Sequence, residues 1–262
     1  MRVRWWNSRA FDLLQFALFV ALLGWATLRG AQSMAYNWQW YRVPRYLWRV
    51  IDGEVIWGPL AKGLVVTLEI SLWATLLALA IGLATALLRL SNSYAGRYLA
   101  IGYIELIRNT PLLVQLYVFY FILAPILGLP RLWTGILALA AFEGAFAAEI
   151  IRAGILSIGQ GQWDAASALG LDRGKSYRLV VLPQALRLML PPLAGVLVSL
   201  VKHSAIVSVI AVFDLTNEAR NIISDTFMSF EIWFTVAAIY LVITVGLSAG
   251  IGVLERRLAV AR

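Results

Sequence analysis

Residues Asp164 to Pro183 read DAASALGLDRGKSYRLVVLP, a polar stretch set between two long apolar ones. Its Gly174-Lys175-Ser176 is how a phosphate-binding loop ends. Such a loop needs G-x-x-x-x-G-K-[ST], so that backbone amides between the two glycines wrap the phosphates. The first glycine would have to stand at 169, where the chain has Leu169, and Gly170 comes one residue late. No strand-like alternation precedes the segment either. Local signals instead describe a helical hairpin. Asp164 is placed to cap a short helix through Ser167 and Leu169. Ala165, Ala166, Ser167 and Ala168 keep that helix thin enough for another protein's surface to approach. Gly170 ends it in a left-handed turn. Asp172 then caps a second helix whose Arg173, Lys175 and Arg178 face water or headgroups, and Pro183 lets the chain bend beyond it. A solvated hairpin with no partner explains the same residues.

The apolar flanks set the class. Of the 262 residues 61% are hydrophobic and only 14% charged, with a mean hydropathy of +0.79. That is not a soluble composition. Apolar runs of about 20 residues, enough to cross a hydrocarbon core about 30 Å thick, fall near 11–28, 64–88, 111–129, 133–151, 186–210 and 231–254. The chain reads as an all-α polytopic membrane protein. The absence of cysteine removes disulfides and thiol chemistry, and His203 is the only histidine. The first run follows Arg2, Arg4 and Arg9 as a signal peptide would, but its core is long and "TLRGAQS" offers no A-x-A cleavage site. A retained helix is expected.

Charge gives the orientation. With both termini inside, cytoplasmic segments hold Arg2, Arg4 and Arg9, then Arg89, Arg97 and Arg108. They also hold Arg152, Arg173, Lys175, Arg178 and Arg187, and finally Arg256, Arg257 and Arg262. That is 14 of 22 basic residues, as the positive-inside rule requires. The +8 net charge thus reflects topology, and no nucleic acid is expected. Residues 31–62, with "YNWQWYRVPRYLW" mixing Trp, Tyr and Arg, fall outside as a periplasmic or interfacial segment.

The hairpin resembles the signature of permease subunits of ATP-binding-cassette importers: E-A-A, three residues, G, nine residues, I-x-L-P. Asp164-Ala165-Ala166, Gly170 and Val180-Val181-Leu182-Pro183 match in both spacings, with Asp for Glu at 164 and Val for Ile at 180. "GLVVTLEIS" at 63–71, "YIELIRNTPLLVQLYVFYF" at 103–121, "AAEIIRAGILSIGQGQWDAA" at 147–166 and "VKHSAIVSVIAVFDL" at 201–215 are similar to the polar-amino-acid members of that family. The resemblance implies a type I permease core of five helices at about 63–257, preceded by one extra transmembrane helix within 1–30. It implies a cytoplasmic coupling loop at about 152–185, with Asp164, Ala165, Ala166, Gly170, Leu182 and Pro183 docking a separate ATPase. ATP and magnesium would then bind that partner. This chain would hold no cofactor, no metal and no catalytic residue. The implied partners are two ATPase subunits, a periplasmic amino-acid-binding protein and a second permease, alike or different, in a bacterial inner membrane.

Ionisable groups at membrane depth are costly and mark pathways or paired sites. Lys202, His203 and Ser204 can supply donors for a substrate carboxylate, and Gln115 and Glu143 acceptors for its ammonium. Internal pairing explains each of them as well, Lys202 neutralising Glu143 for example. Glu69 lies early in the second run. Glu105 with Arg108 and Glu149 with Arg152 stand at i,i+3 spacing, which suits structural pairs. A permease for another small polar solute is the nearest alternative. An ATP-independent channel or secondary carrier would show a filter loop, an inverted repeat or matched broken helices, and an intramembrane enzyme a G-x-S-x-G or H-E-x-x-H constellation.

Overall fold

A computed structural model describes residues 9–34 and 36–259. The chain divides into two compact units, one up to Trp40 and one from Tyr41 onward. The first contains helix α1, Arg9–Ser33, whose apolar part is Phe11–Thr27. The second opens with a short helix α2, Pro44–Leu47, and a hairpin of strands β1, Trp48–Ile51, and β2, Glu54–Trp57. Helices α3, Pro59–Leu90, α4, Tyr94–Arg108, and α5, Leu112–Val118, follow. Then come α6, Ala124–Leu127, α7, Arg131–Leu156, α8, Gln160–Ala168, and α9, Arg173–Ser176. The chain ends with α10, Leu182–His203, α11, Leu215–Thr226, and α12, Ser229–Ala259.

Four segments are long and apolar enough to cross a membrane: Pro59–Leu90, Arg131–Leu156, Arg173–Ile210 and Ser229–Val253. They contain four of the runs read from the sequence. The run near 111–129 becomes Leu112–Leu127, which meets α4 at 111°. The chain turns sharply at Asn109-Thr110-Pro111, and α4 before it is not among the apolar runs of the sequence. Its signature is a one-sided stripe: Gly96, Ala100, Ile104 and Ile107 are buried while Arg97, Tyr98, Glu105 and Arg108 are exposed.

Helix α7 is the hub, and small residues make it one. A Cβ added at Gly135 would meet the Val207 side chain at 2.2 Å, one at Gly144 would meet Ile81 at 2.9 Å, and one at Gly154 would meet Met189 at 2.1 Å. Three different elements therefore press into one helix where it has no side chain, the usual way membrane helices approach closely. Helix α3 receives the same treatment at Gly82, where a Cβ would stand 2.6 Å from that of Ala147. The central core joins Ile70, Ala74 and Ala78 of α3 to Ile136 and Leu139 of α7 and Val196 and Leu200 of α10.

Two π turns interrupt the helices, at Phe119–Leu123 and Tyr177–Val181. Each stands at the same distance before a proline, Pro125 and Pro183. Proline has no amide to give the carbonyl four residues back and its ring crowds that carbonyl. The wider turn takes up the mismatch, with Ala124 N–H reaching Phe119 O and Leu182 N–H reaching Tyr177 O. Pro183 was expected to bend the chain before the next span. Instead α9, the π turn and α10 follow one another without a gap, and Pro183 lies in the first turn of α10.

Candidate functional site

Two sets of residues carry the functional reading, the α8–α9 hairpin and the polar groups of α7 and α10. In the hairpin, Asp164 is not the cap. Helix α8 starts four residues earlier, after Gly159, and the exposed Asp164 carboxylate accepts from Gln160 Nε2 at 3.0 Å. The glycines of "IGQGQ" set the helix start, and the carboxylate is used along the helix surface. The other end follows the sequence. Gly170 has φ +73°, its N–H reaches Ser167 O at 2.9 Å, and Leu171 N–H reaches Ala166 O at 3.1 Å. These two bonds make a Schellman cap. Asp172 caps α9 by accepting from Lys175 N–H at 2.9 Å, and that bond, foremost, holds its carboxyl below the ordinary value.

Burial divides the expected docking residues. Ala166 is buried at 2% exposure, whereas Asp164, Ala165, Gly170 and Pro183 are exposed and Leu182 is half-buried. Ala166 therefore seats the helix and presents nothing to a partner. Leu169, not singled out from the sequence as a contact, is 79% exposed and crowns the outer face. Four further residues hold the hairpin on its base. Trp163 packs against Tyr177 with ring centroids 5.7 Å apart, and Gln184 Nε2 donates to Gln162 Oε1 at 3.1 Å across the fold. A lone Trp in a small-residue helix was the available signal for them. A cleft of about 400 Å³ opens between α8 and α9, lined by Gln160, Trp163, Ser167, Leu171, Arg173 and Ser176. At its edge the GKS of the opening stretch forms one capped helical turn, with Ser176 buried and its Oγ donating to Asp172 O.

Within the spans, the structure brings Glu143 and His203 together. His203 Nδ1 stands 2.8 Å from Glu143 Oε1, with the Glu143 side chain 5% exposed and that of His203 41%. A carboxylate only accepts, so the ring donates from Nδ1 and presents Nε2 elsewhere. Phe142 meets the same ring edge-on at 5.8 Å. Lys202, one residue away, is exposed and is not the partner of Glu143. Ser204 is buried and its hydroxyl donates to Val201 O. Gln115 is buried as well, and its amide donates to Ile107 O at 2.8 Å and Thr110 Oγ1 at 2.7 Å. Those bonds pin the α4–α5 turn, so Gln115 and Ser204 are engaged locally. Glu69 is exposed on α3.

The i,i+3 pairs also diverge. Glu149 does pair with Arg152 at 3.2 Å, and Arg89 of α3 joins the same carboxylate. Glu105 instead accepts from Asn109 Nδ2 at 2.9 Å, while Arg108 lies over the Phe146 ring, 5.5 Å from its centroid. The face of an aromatic ring attracts the guanidinium. Among the described residues no cluster of three or more His, Asp or Glu is arranged to hold a metal.

These features define a helical membrane protein with a capped hairpin between two spans and, on the spans that flank it, a half-exposed imidazole held to a buried acid. Comparison with known proteins makes this specific. The family described as binding-protein-dependent transport system inner membrane component matches residues 77–260. A probable glutamine ABC transporter permease protein of Bacillus subtilis is 39% identical over 193 residues, covering 72% of this chain and 89% of that one. A glutamine transport system permease protein of Escherichia coli K12 is 37% identical over 216 residues, covering 80% and 98% respectively. Among solved structures, an amino acid ABC transporter crystallised with histidines superposes with a TM-score of 0.72 at 40% identity, covering 76% of this chain and 94% of that one. A methionine ABC transporter in an inward-facing conformation shares the fold at 19% identity, with a TM-score of 0.67 and coverage of 76% and 96%. The chain belongs to the family of binding-protein-dependent transport system inner membrane components, the permeases of ABC importers. The resemblance read from Asp164–Pro183 and the all-helical polytopic fold are thereby borne out. The protein is a transporter subunit and not an enzyme.

Proposed function

We propose that this chain forms part of the translocation path of an ATP-driven importer for a polar amino acid, with α8–α9 docking a separate ATPase on the cytoplasmic side. The observation that carries the reading is the hairpin itself. Its outer face is exposed, small at Ala165 and Ala168 and apolar at Leu169, while its base is fixed by a buried alanine, an aromatic pair and a cross-fold amide bond. A rigid seat under a free surface suits transmission of force from one subunit to another. Closure of the ATPase pair draws two such hairpins together, one from each permease, and the spans re-open toward the outside. Hydrolysis resets the inward-facing state, and an external binding protein delivers the substrate.

The substrate class rests on relatives named for glutamine and L-cystine. His203 is the residue best suited to meet a carboxylate, because Glu143 fixes its ring and leaves Nε2 available. Exposed Lys202 and Glu69 would be costly against lipid, which supports their facing a second permease or the path between the two. The basic-residue distribution supports cytoplasmic termini. The test is uptake and ATP hydrolysis in proteoliposomes holding the chain with the proposed ATPase and binding protein. Binding-protein-stimulated hydrolysis and uptake of a polar amino acid are expected, and uptake indifferent to ATP would overturn the reading.

A further inference from the structure

The β1–β2 hairpin has a bare apolar face. Its two-residue turn is Asp52-Gly53, with φ +52° and +82°, the left-handed pair that matches strand twist in a tight hairpin. The register pairs Trp48 with Trp57 and Val50 with Val55, and, on the alternate face, Arg49 with Ile56 and Ile51 with Glu54. Directly opposed residues share a face and successive ones alternate. One face is thus two tryptophans and two valines, and the other mixes apolar residues with an arginine and a glutamate. The four apolar residues are 50%, 61%, 65% and 57% exposed for Trp48, Trp57, Val50 and Val55.

The base of the hairpin is fixed. Gly58 N–H bonds Leu47 O at 2.8 Å, and a Cβ on Gly58 would stand 2.3 Å from Tyr46 O. Tyr46 and Val43 are buried with Leu60, Leu215, Met228 and Ile232. The strands therefore project from an anchored root. A two-stranded ribbon alone is marginal in water, so the bare face needs a cover.

Its height selects the cover. Helix α3 begins at Pro59, directly beyond the hairpin. At 1.5 Å per residue its 32 residues rise about 48 Å, close to the about 40–45 Å of a bilayer with its headgroups. The root therefore lies at the headgroup layer, where Trp is favoured. We infer that the Trp48/Trp57/Val50/Val55 face of this hairpin lies on the lipid surface and moors the outer end of α3 in the interface. The hairpin precedes residues 77–260, which the family model matches, and the inference rests on the length of α3 and the strand register and not on the transport reading.

The test uses the whole chain with its partners, reconstituted in phosphatidylcholine–phosphatidylglycerol vesicles. Because the chain has no native cysteine, Val55→Cys on the bare face and Glu54→Cys on the opposite face each carry a single nitroxide. Collision with oxygen, which concentrates in lipid, is compared with collision with a water-soluble nickel chelate. The oxygen-to-nickel ratio at 55 should exceed that at 54 several-fold. Equal, water-like ratios at both sites would overturn the inference. Low collision with both reagents at 55 would overturn it too, since a protein surface, a second copy or the binding protein, would then be the cover.

Discussion

His203 donates its Nδ1–H to the buried Glu143 carboxylate at 2.8 Å, joining α10 to the middle of α7. The pair links the most buried acid of the expected path to the one imidazole of the chain, and it defines what each substitution does. Glu143→Gln keeps an acceptor for the ring and should leave thermal stability nearly unchanged while lowering substrate-stimulated uptake. His203→Leu strands a buried carboxylate and should cost about 1–3 kcal/mol, read as a lower unfolding temperature in detergent. Combining the two should restore much of that loss. If the double variant is as unstable as His203→Leu alone, the pair is not what holds these helices.

Lys202 behaves differently. It is exposed, so Lys202→Gln should leave assembly, yield and basal ATP hydrolysis intact and reduce stimulated uptake. Poor assembly would show that Lys202 has a structural partner, and unchanged uptake would remove it from the path.

The hairpin separates coupling from seating. Ala165→Arg and Leu169→Asp change only the free face and should abolish stimulation of ATP hydrolysis with normal membrane insertion. Ala166→Arg forces a charge under α8 and should also make the loop susceptible to proteolysis. Gly170→Val places a β-branched residue at φ +73°, at a cost of about 1–3 kcal/mol, so faster amide exchange should appear at the end of α8 and in α9. Equal protease resistance in Ala165→Arg and Ala166→Arg would contradict this division.

Asp214 gives a pH dependence. It is buried where it caps α11, accepting from Asn217 N–H at 2.9 Å, and burial raises its carboxyl to about 6. The folded protein holds that proton more tightly than the unfolded chain. The associated stability is complete below about pH 4 and is lost as pH rises through about 6. Asp214→Asn retains the cap without ionising. Thermal unfolding between pH 4 and 7.5 should show a falling midpoint for the wild type and a flatter one for the variant, with the variant more stable by about 1–3 kcal/mol above pH 7. Parallel curves would contradict it.

Much of this was legible because it is periodic or local. Apolar run length located the spans, glycine tolerance of positive φ placed the turn at 170, and the short carboxylate at 172 found its amide. What escaped depends on register and on partners far along the chain. Asp164 has the chemistry of a cap, but Gly159 starts the helix first. Lys202 and His203 are adjacent in sequence, yet one residue turns a helix by about 100°, so the lysine faces outward and the histidine meets Glu143. Nothing local to 202 carries that information. The amphipathic α4 was hidden by its small residues, Gly96 and Ala100, which mark a buried stripe without raising hydropathy. Both π turns follow from prolines visible in the sequence, but their consequence is a wider turn in a continuing helix.

The topology supports a further check on sidedness. A cysteine at Arg173 should be reached by a membrane-impermeant thiol reagent only from the inside, and one at Glu54 only from the outside. The opposite pattern would invert the proposed orientation.

The most direct measurement of the central claim is site-specific cross-linking from the crown of the hairpin. Leu169→Cys, carrying a short photoactivatable group, is reconstituted with the proposed ATPase and binding-protein partners. The account predicts a single major adduct with the ATPase, whose yield changes when ATP is held unhydrolysed, and no adduct from the buried control Ala166→Cys. Adducts with lipid or with the external binding protein alone, unaffected by nucleotide, would contradict it.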